Sequence, residues 1–243
     1  MLKTRSYLAE IQLKPTAPVD PPAFPFTLPA LRSFERLALH PNVTFLVGEN
    51  GSGKSTLLEA IAIGMGFNAE GGSRGFNFAT RASHSDLWEH LRLVRGIERP
   101  RDGYFLRAES FYNVGSEIER LGVQEYYGNT PLHEQSHGEA FLTLFMKRFR
   151  SNGFYALDEP EAALSPQRQL ALLGRLHDLV GERCQFVIAT HSPILMAYPN
   201  ATIYAFGEDG IREVAYEDTE HYRVTRDFLA NPARMLKVLM GEA

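Results

Sequence analysis

Gly48-Glu49-Asn50-Gly51-Ser52-Gly53-Lys54-Ser55 decides the fold. It fits G-x-x-x-x-G-K-[ST], and its surroundings are the right ones. Before it runs Asn42-Val43-Thr44-Phe45-Leu46-Val47, a β-branched and aromatic segment that reads as a strand buried on both faces. After it, Thr56–Met65 sets Leu57, Leu58, Ile61 and Ala62 at helical spacing. A glycine-rich turn between strand and helix lets successive backbone N–H groups point at phosphate oxygens. The helix start adds its partial positive charge. In this setting Lys54 is expected to bridge the β- and γ-phosphates of a nucleotide, and Ser55 to ligate Mg²⁺. Gly48, Asn50, Gly51, Ser52, Gly53 and Thr56 complete the expected phosphate-binding set.

Working outward, two further apolar runs end in polar groups. Phe154-Tyr155-Ala156-Leu157 leads into Asp158-Glu159-Pro160, and Phe186-Val187-Ile188-Ala189 into Thr190-His191-Ser192-Pro193. Ligands in open parallel sheets bind beyond the carboxyl ends of the strands. There Asp158 is expected to hold Mg²⁺ and Glu159 to take a proton from an attacking water. His191 is expected to hydrogen-bond a γ-phosphate. Tyr104–Arg107 and Thr202–Phe206 read as strands, and Gly138–Arg150, Pro166–Val180 and Phe228–Met240 as helices. Strands alternating with helices predict an α/β fold with a mostly parallel sheet flanked by helices. No clean linker is visible, so residues 1–243 read as a single domain, with a subregion at about 66–135. The stretch with Pro15, Pro18, Pro21, Pro22, Pro25 and Pro29 reads as an irregular surface loop.

Composition narrows the classes. A chain of 243 residues buries about 70% of its unfolded surface, enough for one large core. With 44% hydrophobic and 22% charged residues it is an ordinary globular sequence, which excludes intrinsic disorder. The net charge of −4 gives no overall attraction to nucleic acid or an anionic membrane. A single cysteine, Cys184, excludes an intramolecular disulfide framework and a Cys-cluster metal site. In its apolar surroundings it reads as an inert core thiol. The N-terminus lacks the apolar run of a signal peptide, and no window is apolar enough to span a membrane. A cytoplasmic protein is the expectation.

Together these segments resemble the ABC-type ATPases, in the soluble branch related to chromosome-maintenance and DNA-repair ATPases more than in the transporter branch. The resemblance rests on Gly48–Thr56 (Walker A), Leu132-His133-Glu134-Gln135-Ser136-His137-Gly138-Glu139 (signature), Leu157-Asp158-Glu159-Pro160 (Walker B), Glu161-Ala162-Ala163-Leu164-Ser165 (D-loop) and Thr190-His191-Ser192 (switch histidine). More narrowly, GENGSGKSTLLEAIA, FNAEGGSR, ATRASHS and DEPEAALSPQRQL look like a family of small bacterial predicted ATPases. The resemblance implies ATP and Mg²⁺ as cofactors and a small helical or irregular subdomain. It also implies a head-to-tail homodimer in which Ser136 and Gly138 cap the γ-phosphate on the opposing subunit. The signature departs from the usual Leu-Ser-Gly-Gly, with His137 at the first glycine. The glutamine that usually joins Mg²⁺ to the helical subdomain has no match, and Glu109 is the nearest oxygen donor. Phe24 and Phe26 are the candidates for an adenine-stacking aromatic.

The implied activity is hydrolysis of ATP to ADP and phosphate, driving a dimerising switch for an unidentified protein partner. Alternatives stay open. Arg74, Arg81, Arg92, Arg95, Arg99, Arg101 and Arg107 outnumber Asp86, Glu89, Glu98 and Asp102 in the middle segment. They form either a solvated or paired face, or a phosphate-backbone surface of a DNA-associated ATPase of repair or phage defence. A transporter ATPase subunit and a P-loop small-molecule kinase are the other readings.

Overall fold

The computed structural model describes residues 6–15, 24–74, 85–107 and 137–241. Ser136 and Glu109 lie outside them. The chain opens with β1 (Leu8–Leu13), a short helix α1 (Pro29–Arg32) and β2 (Arg36–Ala38). Then come β3 (Val43–Gly48) and α2 (Lys54–Gly64), joined by the glycine-rich loop. β4 (Gly72–Ser73), α3 (Leu87–His90), β5 (Leu91–Arg95) and β6 (Asp102–Arg107) follow. The rest alternates as α4 (His137–Arg148), β7 (Gly153–Asp158), α5 (Pro166–Gly181), β8 (Gln185–Ala189), α6 (Pro193–Met196) and β9 (Thr202–Gly207). β10 (Gly210–Val214), α7 (Glu220–Ala230) and α8 (Pro232–Leu239) close the chain.

Among the described residues these strands make a 7-stranded sheet in the order β10-β9-β3-β8-β7-β6-β4. Its interior pairs are parallel, and only the edge strands β10 and β4 run antiparallel. Side-chain alternation explains why the strands read as unbroken apolar runs. Phe45, Tyr155, Leu157 and Ile188 face one core with α4 and α5. Leu46, Phe154, Ala156 and Val187 face the other, with α2 and β1. A strand buried on both faces has no polar side to show. The α/β expectation holds.

A second sheet, β2-β1-β5, is antiparallel, and no motif or unbroken apolar run in the sequence announces it. Gln185 joins it to the main sheet. Its amide oxygen accepts from Tyr7 N and Leu8 N, both at 2.9 Å, and its amide nitrogen donates to Leu8 O at 2.7 Å and His40 O at 3.0 Å.

Two expectations need correction. Phe228–Met240 is not one helix: α7 ends at Ala230, and Asn231 caps α8 by accepting from Arg234 N at 3.1 Å. Pro232 at the first position of α8 has no N–H to continue α7. The end of the proline-rich stretch is not a surface loop either. Pro25 and Phe26 are buried, and Pro29 opens α1, whose Ala30 and Leu31 enter the core. Cys184 is free and buried, and burial pushes its thiol up to about 11. Among the described residues no helix is long and apolar enough to cross a membrane.

Candidate nucleotide site

Parallel strands β3, β7 and β8 end at the same edge of the sheet, and that edge gathers the expected groups. β3 runs into Gly48, whose φ is 145°; a Cβ there would stand 2.4 Å from Phe206 O of β9. Only glycine fits such a turn at that approach. The loop re-enters helix through Gly53, at φ 104°, as the N-cap of α2. Lys54, the first helical residue, is buried, and its ammonium donates to Gly48 O and Glu49 O, both at 2.8 Å. Burial lowers its pKa, while Glu159, Asp158, Glu49 and Glu161 oppose that shift. The cation is thus held folded over the loop, facing carboxylates.

Ser55 Oγ donates to Asp158 Oδ1 at 2.8 Å. This bond ties the start of α2 to the end of β7. The two oxygens suit Mg²⁺, which takes one or two protein oxygens, keeps water and completes its shell with substrate phosphates. No cluster of His, Cys, Asp and Glu among the described residues offers a fuller metal site. Arg107, at the end of β6, pairs with Glu59 at 2.5 Å and has Nε 3.9 Å from Asp158 Oδ2.

Glu159 follows in a left-handed conformation, φ 50°, with its N–H donating to Ala189 O at 2.9 Å. For a non-glycine residue this costs about 1 kcal/mol or more. The turn carries its side chain to a cavity of about 190 Å³ that also borders Gly51, Lys54, Thr56, Phe24 and Leu28. Phe24, 60% exposed, stands at this wall. Phe26 does not: it is buried in the core with its ring edge-on to His90 at 5.6 Å. Of the two aromatic candidates only Phe24 reaches the site.

His191 sits on the loop after β8. Glu161 Oε1 accepts from its backbone N at 2.6 Å. Ser192 Oγ donates to Gln169 Oε1 at 2.5 Å and accepts from Leu195 N at 3.2 Å, which pins the loop to α5 and α6. His191 Nε2 lies 3.5 Å from Glu159 Oε1. Its Nδ1 lies 3.0 Å from Nε2 of His221, the second residue of α7. Burial and the nearby Lys54 ammonium lower the pKa of both imidazoles, which favours their neutral forms. Burial raises the Glu161 carboxyl, against the hydrogen bond it accepts from His191.

Lys54, Ser55, Asp158, Glu159 and His191 therefore share one edge with the loop Gly48–Gly53. Of the signature, Gln135 and Ser136 lie outside the described residues. His137 opens α4, and Gly138 lies so close to the D-loop segment that a Cβ would stand 2.4 Å from Ala163 O. Sequence reading missed His221 and the direct role of Glu161 in holding His191. Glu161 carries a signal, its place just after Asp158-Glu159; His221 carries none.

Comparison with known proteins gives two family matches. A family described as "AAA domain" matches residues 27–107, and one described as "AAA domain, putative AbiEii toxin, Type IV TA system" matches residues 97–197. No curated protein matches. Similar solved structures include cbiO1 from Clostridium perfringens, part of the ABC transporter complex cbiONQ. It has 17% identity over 86% of this chain and 91% of its own, with TM-score 0.44. The SmcHead bound to the C-winged helix domain of ScpA has 13% identity over 86% and 97%, with TM-score 0.44. MJ1267, an ATP-binding cassette of an ABC transporter, has 17% identity over 91% and 96%, with TM-score 0.48. Two AAA-domain family models thus match adjoining parts of this chain, and between them they take in the glycine-rich loop, Asp158, Glu159 and His191.

Proposed function

We propose that this chain hydrolyses ATP–Mg²⁺ to ADP and phosphate and works in the cytoplasm as an ATP-driven, head-to-tail dimerising switch read by a protein partner. The observation that carries the reading is the convergence of Lys54, the Ser55–Asp158 pair, Glu159 and His191 around one glycine-rich loop. Lys54 exchanges its two backbone carbonyls for β- and γ-phosphate oxygens. Ser55 and Asp158 would hold Mg²⁺, which would supply charge neutralisation when bound. Glu159 accepts a proton from the attacking water as the new P–O bond forms and the β–γ bridge breaks. His191 donates from Nε2 to the γ-phosphate. Phe24, which borders the same cavity as Lys54 and Thr56, would stack on the base.

Glu159 is half-open to solvent, with 40% of its side chain exposed, so this edge excludes water poorly on its own. A second copy closing over it supplies that cover, with Ser136 and Gly138 presented to the γ-phosphate. The test is the solution mass of Glu159→Gln with and without ATP–Mg²⁺. A mass that doubles only with nucleotide supports the switch. A monomer carrying bound ATP contradicts closure in trans.

A further inference from the structure

His221 is the only contact from the carboxyl-terminal helices that reaches the switch histidine among the described residues, and nothing in the motif set accounts for it. Its helix is otherwise poorly anchored: α7 buries no residue of its own. What fixes its start is Thr219, buried at the N-cap, whose Oγ1 donates to Tyr216 O at 2.7 Å and accepts from Tyr222 N at 3.4 Å. This cap places His221 one residue into the helix, with Nε2 3.0 Å from His191 Nδ1. The rings meet edge-on at 5.1 Å.

Two neutral imidazoles at this distance share one proton, and the surroundings decide which nitrogen carries it. Were His191 Nδ1 the donor, its Nε2 would present a lone pair to Glu159 Oε1 at 3.5 Å, two acceptors facing each other. The reverse arrangement has no such conflict. His221 Nε2–H donates to His191 Nδ1, so the remaining proton of His191 sits on Nε2. That nitrogen is buried and makes no hydrogen bond among the described residues. It faces Glu159 Oε1 at 3.5 Å without a hydrogen bond to it, a donor that an incoming anion can engage.

We propose that His221 is a positioning residue for nucleotide recognition: by donating to His191 Nδ1 it fixes the His191 ring and holds its Nε2–H toward the terminal phosphate. The proposal rests on the ATP reading above. It also couples α7 to the nucleotide, because the contact that orients His191 is carried on the first turn of α7. His221 further borders a cavity of about 660 Å³ formed with Gly48, Asn50, Ser52 and Arg212.

The test compares dissociation constants of the full chain for ADP–Mg²⁺ and for a non-hydrolysable ATP analogue with Mg²⁺, by calorimetric titration. The ratio isolates the γ-phosphate contribution without needing turnover. His221→Ala is expected to reduce the preference for the analogue about tenfold, the worth of one hydrogen bond to a charged group. ADP affinity should stay within about twofold, since a lost γ-phosphate contact leaves the β-phosphate cradle intact. His191→Ala should do the same, and the double variant should lose no more than either alone, because one residue acts through the other. His221→Gln, whose amide N–H falls near the Nε2 position, should restore the preference. An unchanged ratio in His221→Ala overturns the proposal. So does an additive loss in the double variant, or a parallel loss of ADP affinity. If wild-type protein binds neither nucleotide, the ATP reading itself fails, and that result appears before any variant is made.

Discussion

Gln185→Leu tests what joins the seven-stranded sheet to the antiparallel one. The side chain is fully buried, and leucine has nearly its volume, so the exchange makes little cavity. What disappears is a set of four hydrogen bonds to Tyr7 N, Leu8 N, Leu8 O and His40 O. Each is worth about 1 kcal/mol net, and a buried donor left unpaired costs about 1 to 3 kcal/mol. The two N–H groups carry most of the loss, since a carbonyl with a second lone pair is more easily satisfied. The expected destabilisation is about 3 to 5 kcal/mol. Against a total stability of about 5 to 15 kcal/mol that is a large share. For a domain of this size it corresponds to a fall in Tm of about 6 to 20 °C. Urea unfolding gives the free energy directly, and the single tryptophan, Trp88 on α3 beside β5, reports the antiparallel sheet by fluorescence. A loss under about 1 kcal/mol would refute the reasoning, because the joint would then hold without these bonds.

Other consequences follow from single contacts. Tyr155→Phe keeps the stack on Phe149 at 4.2 Å but removes the hydroxyl that sits 2.8 Å from Asp102 Oδ2 and accepts from Arg150 N. Urea titration should show a loss of about 1 to 3 kcal/mol. Ser55→Ala should leave the melting temperature within a few degrees yet abolish the increase in ATP affinity that Mg²⁺ gives, as titration with and without EDTA would show. Cys184, with its thiol pushed up to about 11 by burial, should resist iodoacetamide at pH 8 in the folded protein and react fully in urea. Rapid modification without denaturant would show that the strand start at β8 opens locally.

Much of the site was legible because function and fold use the same feature. A parallel strand covered on both faces shows no polar residue until it leaves the sheet, so Gly48, Asp158 and His191 stand out where apolar runs end. The antiparallel sheet escaped for the opposite reason. Arg36 and Ala38 are exposed around a buried Leu37 in β2, and β5 interleaves Arg92 and Arg95 with partly buried neighbours, so neither shows an apolar run. The break at Asn231 hides inside a sequence whose apolar spacing continues across it. Gln185 carries no cue of its own beside the apolar run that follows it, and only the fold shows it buried between two sheets. His221 carries no local cue, since its partner is 30 residues away and meets it only through the packing of α7. Phe24 and Phe26 were equivalent in sequence; burial of Phe26 separates them.

The central claim is that this edge of the sheet hydrolyses ATP with Glu159 as the proton acceptor. The most direct measurement is phosphate release from ATP–Mg²⁺ by the wild-type chain and by Glu159→Gln, with ATP binding measured on the same samples. The account predicts steady release by wild type, a loss of about 100-fold or more in Glu159→Gln, and ATP affinity retained within a few fold. Release by Glu159→Gln at the wild-type rate, with binding intact, would contradict it.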